Sequence, residues 1–225
     1  TAWRDTHLRI DGPAAAQFAH LFVAFWNRHC ARDERITRQY LRRFDPLIVP
    51  RYTDPLQLTF PIRNMYIAAI ERAEQHVLLT NAYFVPDHIL LNALKAAAGR
   101  GVDVQILLPW ISNHAATDWV ARGYFTDCLR AGIRIFAYKA MMHAKTCTID
   151  GQWSTIGTAN LDRLSSVGNY ELNVEIYSAE LARQMETLFA RDKAFAVEIT
   201  RAGWSARPWY VKLSERILAP LRVLM

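Results

Sequence analysis

Between Ala14 and Trp26 the apolar residues Phe18, Leu21, Phe22, Phe25 and Trp26 recur every three or four positions, which predicts a helix with one aromatic, buried side. Pro13, directly after Gly12, suits its first turn. Upstream, Thr6 to Ile10 predicts a short strand. From Arg28 to Thr59 the period lapses and Pro46, Pro50 and Pro55 interrupt the chain, marking residues 46–59 as a linker. Order returns at Pro61. A helix to about Ala73 precedes a strand His76 to Thr80, and a helix Asp87 to Ala98, ended by Gly99 and Gly101, precedes Val102 to Leu108. A third helix, about Thr117 to Leu129, stops at Gly132 before the strand Ile133 to Tyr138. Helix then strand, three times over, implies parallel strands in an α/β layer. Ala144 to Ile149 and Trp153 to Thr158 flank Asp150-Gly151-Gln152 and predict a hairpin. Glu171 to Tyr177 reads as another strand, and Ser178 caps a last amphipathic helix to about Ala194.

Composition narrows the class. The 225 residues are 52% hydrophobic and 21% charged with nine glycines and nine prolines, which excludes a disordered or collagen-like chain and allows a core without metal or disulfide staples. Apolar runs such as Phe22 to Trp26 and Met65 to Ile70 fall far short of the roughly 20 residues of a spanning helix, and no signal-peptide pattern occurs. Three cysteines (Cys30, Cys128, Cys147) without metal spacing imply a reducing compartment and unpaired, buried thiols. The net charge of +6 sits in two places: residues 28–43, with six arginines against Asp33 and Glu34, and the tail from Arg201, each net +4. That distribution points to an anionic surface more than to a nucleic-acid groove, although a solvated helix face explains residues 28–43 equally well. In the tail, Trp204, Trp209, Tyr210, Leu213, Ile217 and Leu218 interleave with basic residues, as in an interfacial segment on anionic lipid.

The chemistry concentrates in residues 143–171. His143 and Lys145 stand two apart in a strand and so face the same way. An imidazole beside an ammonium can attack a phosphodiester while the ammonium offsets charge on the phosphoryl oxygens. Thr158 and Asn160, in Gly157-Thr158-Ala159-Asn160, offer phosphate-binding groups, and Glu171 offers a carboxylate able to hold a histidine in one tautomer.

His143-x-Lys145-x4-Asp150, then Gly157-Thr158-x-Asn160, then Glu171, resembles the HKD motif of the phospholipase D superfamily: HxKxxxxD, GSxN and a downstream acid. Trp3-Arg4-Asp5-Thr6-His7, Tyr83-Phe84-Val85-Pro86-Asp87, Ala131-Gly132-Ile133-Arg134-Ile135 and Arg207-Pro208-Trp209 resemble its bacterial cardiolipin synthase branch. The resemblance implies an α-β-α sandwich, a mixed sheet flanked by helices, and phosphatidyl transfer through a phosphohistidine without metal or cofactor. Under it, His143 is a catalytic histidine, Lys145 a phosphate ligand, and Thr158 and Asn160 complete the cradle. Glu171 orients a histidine, that of the other half-site. Asp150 belongs to the motif, but its place before Gly151 suggests a structural role. Thr158 departs from the family's serine by one methyl group.

The family pairs two such motifs, one histidine as nucleophile and one as general acid, and this sequence has one. None of His7, His20, His29, His76, His88 or His114 is followed two residues later by lysine. The expected organisation is therefore a remnant of a first repeat (1–45), the linker (46–59), a complete second repeat (60–200) and a basic aromatic tail (201–225). The expected partners are an anionic phospholipid on the cytoplasmic face of the cell membrane and either the first repeat or a second copy, with no nucleic acid. Two alternatives stay open: a phosphodiesterase or nuclease acting as a dimer, and an inactive lipid-binding half.

Overall fold

The computed structural model describes residues 3–37, 44–57, 59–209 and 211. Its strands are β1 (Ile48–Thr53), β2 (His76–Thr80), β3 (Asp103–Pro109), β4 (Arg134–Tyr138), β5 (Thr146–Ile149), β6 (Trp153–Gly157), β7 (Glu171–Tyr177) and β8 (Ala196–Ile199). Its helices are α1 (Ala15–His29), α2 (Pro61–Arg72), α3 (His88–Gly99), α4 (Ala115–Arg130), α5 (Arg163–Val167), α6 (Ala179–Lys193) and α7 (Arg201–Ser205). One mixed sheet runs in the order β1-β7-β6-β5-β2-β3-β4-β8. The helix–strand alternation yields the parallel trio β2, β3 and β4, and the hairpin signal yields antiparallel β5 and β6. Asp150 and Gly151 both take positive φ at that turn, 52° and 61°.

Strand alternation divides the core. Val77, Leu79, Val104, Ile106 and Ile135 face α2, α3 and α4, whereas Leu78, Leu107 and Phe136 face the side covered by α6. Each such residue, fully buried, contributes about 1.5–3 kcal/mol. Asp87 caps α3 through the N–H groups of Ile89 and Leu90, and Ser178 caps α6 through that of Leu181. The expected α-β-α sandwich is what forms.

Several expectations need correction. Thr6–Ile10 is not a strand: Thr6 N–H turns back onto the Asp5 carboxylate at 2.8 Å, and the isolated bridge to Met142 is made upstream of it, by Arg4. The aromatic side of α1 is not buried. Phe22 is 55% exposed, and Phe25 and Trp26 are also exposed, because α2–α4 and α6 already cover the two faces of the sheet. The stretch read as a linker holds edge strand β1, paired antiparallel with β7. Pro50 is tolerated there because an edge strand can spare a donor. Finally, Trp204, read as part of an interfacial tail, is 5% exposed, packs on Phe125 at 5.2 Å and donates to Thr126 at 3.1 Å. Trp209 is exposed, and Tyr210 and residues 212–225 lie outside the described residues.

Candidate active site

His143 sits in the segment leading into β5, half-exposed, with its backbone N–H on the Arg4 carbonyl at 2.7 Å. The Nδ1 atom lies 3.1 Å from the carboxylate of Asp5. A carboxylate only accepts, so in the neutral ring Nδ1 carries the proton and Nε2 keeps the lone pair. Asp5 is itself held in place. Arg4 anchors the N-terminal segment to α6 through a two-point pair with buried Asp192 at 2.9 and 2.7 Å. Burial would raise the Asp5 carboxyl, but the Thr6 N–H and His143 bring it below its ordinary value. Trp3 lies against the imidazole at 5.4 Å. Sequence reasoning noticed Trp3-Arg4-Asp5 only as a resemblance, because no local spacing links an acid to a histidine 138 positions away.

Lys145 is buried, with Nζ donating to the His143 carbonyl at 2.5 Å. Burial lowers its pKa to about 8, while Asp5, Glu171 and Asp162 act in the opposite direction. These groups therefore converge on one ammonium. The Gly157–Asn160 loop is brought beside it by a Gly157 N–H to Lys145 carbonyl bond of 3.1 Å. Thr158 Oγ1 donates to Glu171 at 2.5 Å and accepts from the Leu172 N–H at 3.0 Å. Glu171 also accepts from Asn169 at 3.2 Å and, among the described residues, pairs with no histidine. Asp162, which sequence reasoning missed, caps α5 through the Ser165 N–H at 2.7 Å, and its carboxyl is raised first by burial and further by Glu171.

Two buried amides shape this loop. Asn173 accepts from the Ala159 N–H at 3.2 Å, and a Cβ on Gly157 would lie 2.2 Å from that Asn173 oxygen. Asn81 accepts from the N–H groups of Leu161 at 3.3 Å and Tyr83 at 3.2 Å. Asp150 stands at the other end of β5 from His143. It accepts the backbone N–H groups of Glu74, Gln75 and His76 at 2.8–2.9 Å and ties the hairpin to the start of β2. Cys147 is fully buried with its thiol pushed far up by burial, and Cys128 is pushed to about 12, again first by burial. His114 is an exposed loop residue beside Tyr83 at 5.4 Å, and Tyr83 donates to Asn113. Phe84 is core. From Thr158 and Glu171 an apolar groove of about 310 Å³ runs beneath α1, between Phe18, Phe22, Phe25 and Tyr52.

This arrangement can be set beside known proteins. The family described as cardiolipin synthase, PLD-like domain, matches residues 66–193, which include the whole motif and most of the sheet. The chain belongs to that phospholipase D family. The major cardiolipin synthase ClsA of Bacillus subtilis is 31% identical over 97% of this chain, and a cardiolipin synthase of Geobacillus thermodenitrificans is 33% identical over the same share. The chain spans about half the length of the curated relatives it matches, 47% and 45% for these two. Two solved structures share the fold. Nuc, a phospholipase D family member from Salmonella typhimurium, superposes with TM-score 0.59 at 21% identity, covering 69% of this chain and 99% of Nuc. The phosphatidylserine synthase of Haemophilus influenzae superposes with TM-score 0.62 at 11% identity, covering 78% of this chain and 46% of that enzyme. No described helix is long and apolar enough to cross a membrane.

Proposed function

We propose that this chain supplies one half of the active centre of a cardiolipin synthase-type phosphatidyltransferase. The observation that carries the reading is the Asp5–His143 pair, which leaves Nε2 with its lone pair next to the Lys145 cradle. One histidine of the assembled centre attacks the phosphorus through Nε2. The phosphorus–oxygen bond to the departing alcohol breaks, and the second histidine donates the proton that alcohol takes up. The acceptor hydroxyl then returns that proton to the second histidine as its oxygen displaces nitrogen from phosphorus. His143 fills one of these two positions.

The charge balance supports a half-site. Among the described residues, Asp5 and Glu171 both act on the Lys145 ammonium, and two carboxylates on one ammonium disfavour a phosphodiester. A second motif, from the rest of a longer chain or from a second copy, brings another lysine and another histidine. Asp5 on His143 also suggests the reciprocal arrangement, in which Glu171 serves the histidine of the other half. The apolar groove leading from Thr158 and Glu171 suits the acyl part of a phospholipid. The exposed aromatic side of α1 suits a peripheral position on an anionic membrane, for which the cytoplasmic face is our reading.

Labelled phosphatidylglycerol tests this. Transfer to a second phosphatidylglycerol should appear when a second HKD half is supplied and vanish in His143→Ala. Full turnover by a demonstrated monomer of this chain alone would overturn the half-site, and DNA cleavage lost in His143→Ala would replace the transferase with a nuclease.

A further inference from the structure

The His143 side chain is half-exposed, and its hydrogen bond to Asp5 fixes the ring at one point only. About the line from Nδ1 to the carboxylate the imidazole can still swing, and such a swing carries Nε2 off the phosphorus. A second restraint comes from the tripeptide that supplies Asp5. The Arg4 N–H donates to the Met141 carbonyl at 3.0 Å and the His143 N–H to the Arg4 carbonyl at 2.7 Å, a parallel bridge that pairs Arg4 with Met142. Successive side chains of extended backbone alternate between faces. Arg4 and Met142 turn inward, Arg4 onto Asp192 of α6 and Met142 into the core cluster that includes Phe189. Trp3, Asp5 and His143 turn the other way. Asp5 then stands opposite His143 and Trp3 on its diagonal, a separation that a large aromatic side chain spans.

The indole of Trp3 lies 5.4 Å from the imidazole, centroid to centroid, with the planes inclined at 45°. Core packing does not account for that position, because Trp3 is 52% exposed and belongs to neither core cluster. Its contact also changes value during a reaction. The resting imidazole is neutral, but once Nε2 is bonded to phosphorus while Nδ1 keeps its proton, the ring is an imidazolium. An indole within about 6 Å of a cation attracts it, and does so better than a phenyl ring. A contact that strengthens as the ring becomes charged lowers the barrier to reaction, beyond any tightening of the resting state.

We propose that Trp3 is a positioning residue for His143: its indole limits the swing of the imidazole about the Asp5 hydrogen bond and favours the ring in its charged, phosphorylated form. The proposal deepens the transferase reading and rests on His143 as a reacting histidine. It holds for any phosphoryl transfer through that ring, whatever the acceptor.

Phosphoramidate, a small phosphoryl donor, tests this on the chain alone. Its phosphorus–nitrogen bond breaks, the phosphoryl group passes to histidine Nε2, and the nitrogen, already protonated in the reagent, leaves as ammonia. Phosphorylation of His143, followed by mass spectrometry, should slow about tenfold in Trp3→Leu, which keeps apolar bulk and loses the π face. Trp3→Phe should recover most of the rate, to within about threefold of the parent, and exposed His114 should react alike in all three proteins. In NMR spectra of the parent, the indole ring current should displace the His143 ring protons, and Trp3→Leu should abolish the displacement. Hydrogen exchange of the His143 amide, held by Arg4, should be equally slow in all three, which shows that the segment stays docked. Any one of four results overturns the proposal: a parent His143 that takes no phosphoryl group, equal rates in the parent and Trp3→Leu, no ring-current displacement in the parent, or slowed phosphorylation together with lost amide protection.

Turnover is read separately, on labelled phosphatidylglycerol with a second half supplied. Trp3→Leu should lower kcat about tenfold and leave KM unchanged. An effect confined to KM would make Trp3 a lipid contact and overturn the proposal. Graded phosphorylation rates without any lipid transfer would count against the transferase reading and leave the role of Trp3 standing. Lipid transfer at one rate in all three proteins would do the reverse.

Discussion

The two halves of the sheet are built on opposite terms. The parallel trio β2, β3 and β4 is almost wholly apolar inside, with Thr80 and Gln105 as its buried polar side chains. The antiparallel half, β5, β6, β7 and β1, buries Thr53, Thr146, Thr148, Ser154, Thr155, Asn173 and Glu175, and Lys145 just before β5. Each of the latter needs a partner, and partners are found across strands: Thr148 with Ser154 at 3.2 Å, Asn173 with Thr155 at 3.3 Å, and Glu175 with Trp153 at 3.1 Å and with Arg51 at 2.7 Å. Apolar packing tolerates small shifts, whereas a satisfied polar network specifies one geometry. The half that needs a single geometry is the half that carries the site.

The largest expected effect separates these roles. His143→Ala should remove essentially all transfer, on the order of 10⁴-fold or more, because nothing else at the site presents a nucleophilic or acidic nitrogen in that position. Its stability should stay within about 0.5–1 kcal/mol of the parent, since the side chain is half-exposed. Ile106→Ala, in the middle of β3, should do the opposite: a loss of about 2–5 kcal/mol in urea unfolding with the residual folded protein still competent. If the two variants moved the same observable, the division between frame and site would be false.

Asp5→Asn comes next. The amide can present its N–H to Nδ1 and impose the wrong tautomer, so transfer should drop roughly 10²- to 10⁴-fold in the turnover assay. Gly157→Ala should follow, because its Cβ would press on the side chain and backbone of Asn173. Opening that contact should cost about 1–3 kcal/mol and loosen the cradle, seen as a raised KM along with a lower midpoint in thermal unfolding.

How much of this was legible in the chain follows the same division. The parallel trio announces itself because buried parallel strands are short apolar runs between amphipathic helices, and β2, β3, β4 and the helices α2–α4 lie close to where periodicity puts them. His143, Lys145, Thr158, Asn160 and Glu171 could be named from motif spacing, and Glu171 does act on the Lys145 ammonium while accepting a hydrogen bond from Thr158. What spacing cannot convey is long-range pairing. Asp5 reaches His143 because Arg4 bridges to Met142 and docks on Asp192, and β1 forms against the edge that β7 offers. Likewise the period of α1 revealed an aromatic side without revealing that no layer of the sheet sandwich covers it.

Lys145 supplies a smaller, pH-dependent effect. With burial holding the ammonium at about 8, affinity for a phosphodiester such as dimethyl phosphate, whose charge is constant in this range, should fall about tenfold per unit as pH rises beyond that value. The stability contribution runs the other way. Between about 8 and the ordinary lysine value of 10.5 the unfolded chain binds more protons than the native one, so stability from this residue rises with pH. Lys145→Gln should flatten both profiles. A profile centred near 10.5 would show that the ammonium is not desolvated and that this side of the antiparallel half is wetter than the structure has it.

The smallest effect is the most exacting for the idea that the antiparallel half works by hydrogen bonds. Thr158→Ser keeps the hydroxyl that donates to Glu171 and accepts from the Leu172 N–H, and removes only a methyl group from an exposed position. Transfer and stability should change by no more than about twofold and about 0.5 kcal/mol. Thr158→Val keeps the shape and removes both bonds, leaving Glu171 and the Leu172 N–H without that partner. It should cost about 1–2 kcal/mol and slow transfer about tenfold, although its bulk is the better match to threonine. Isothermal denaturation of the pair measures the first quantity and turnover the second. If valine matched threonine and serine did not, the loop would be held by its methyl group, and shape, the governing term in the parallel half, would govern here as well.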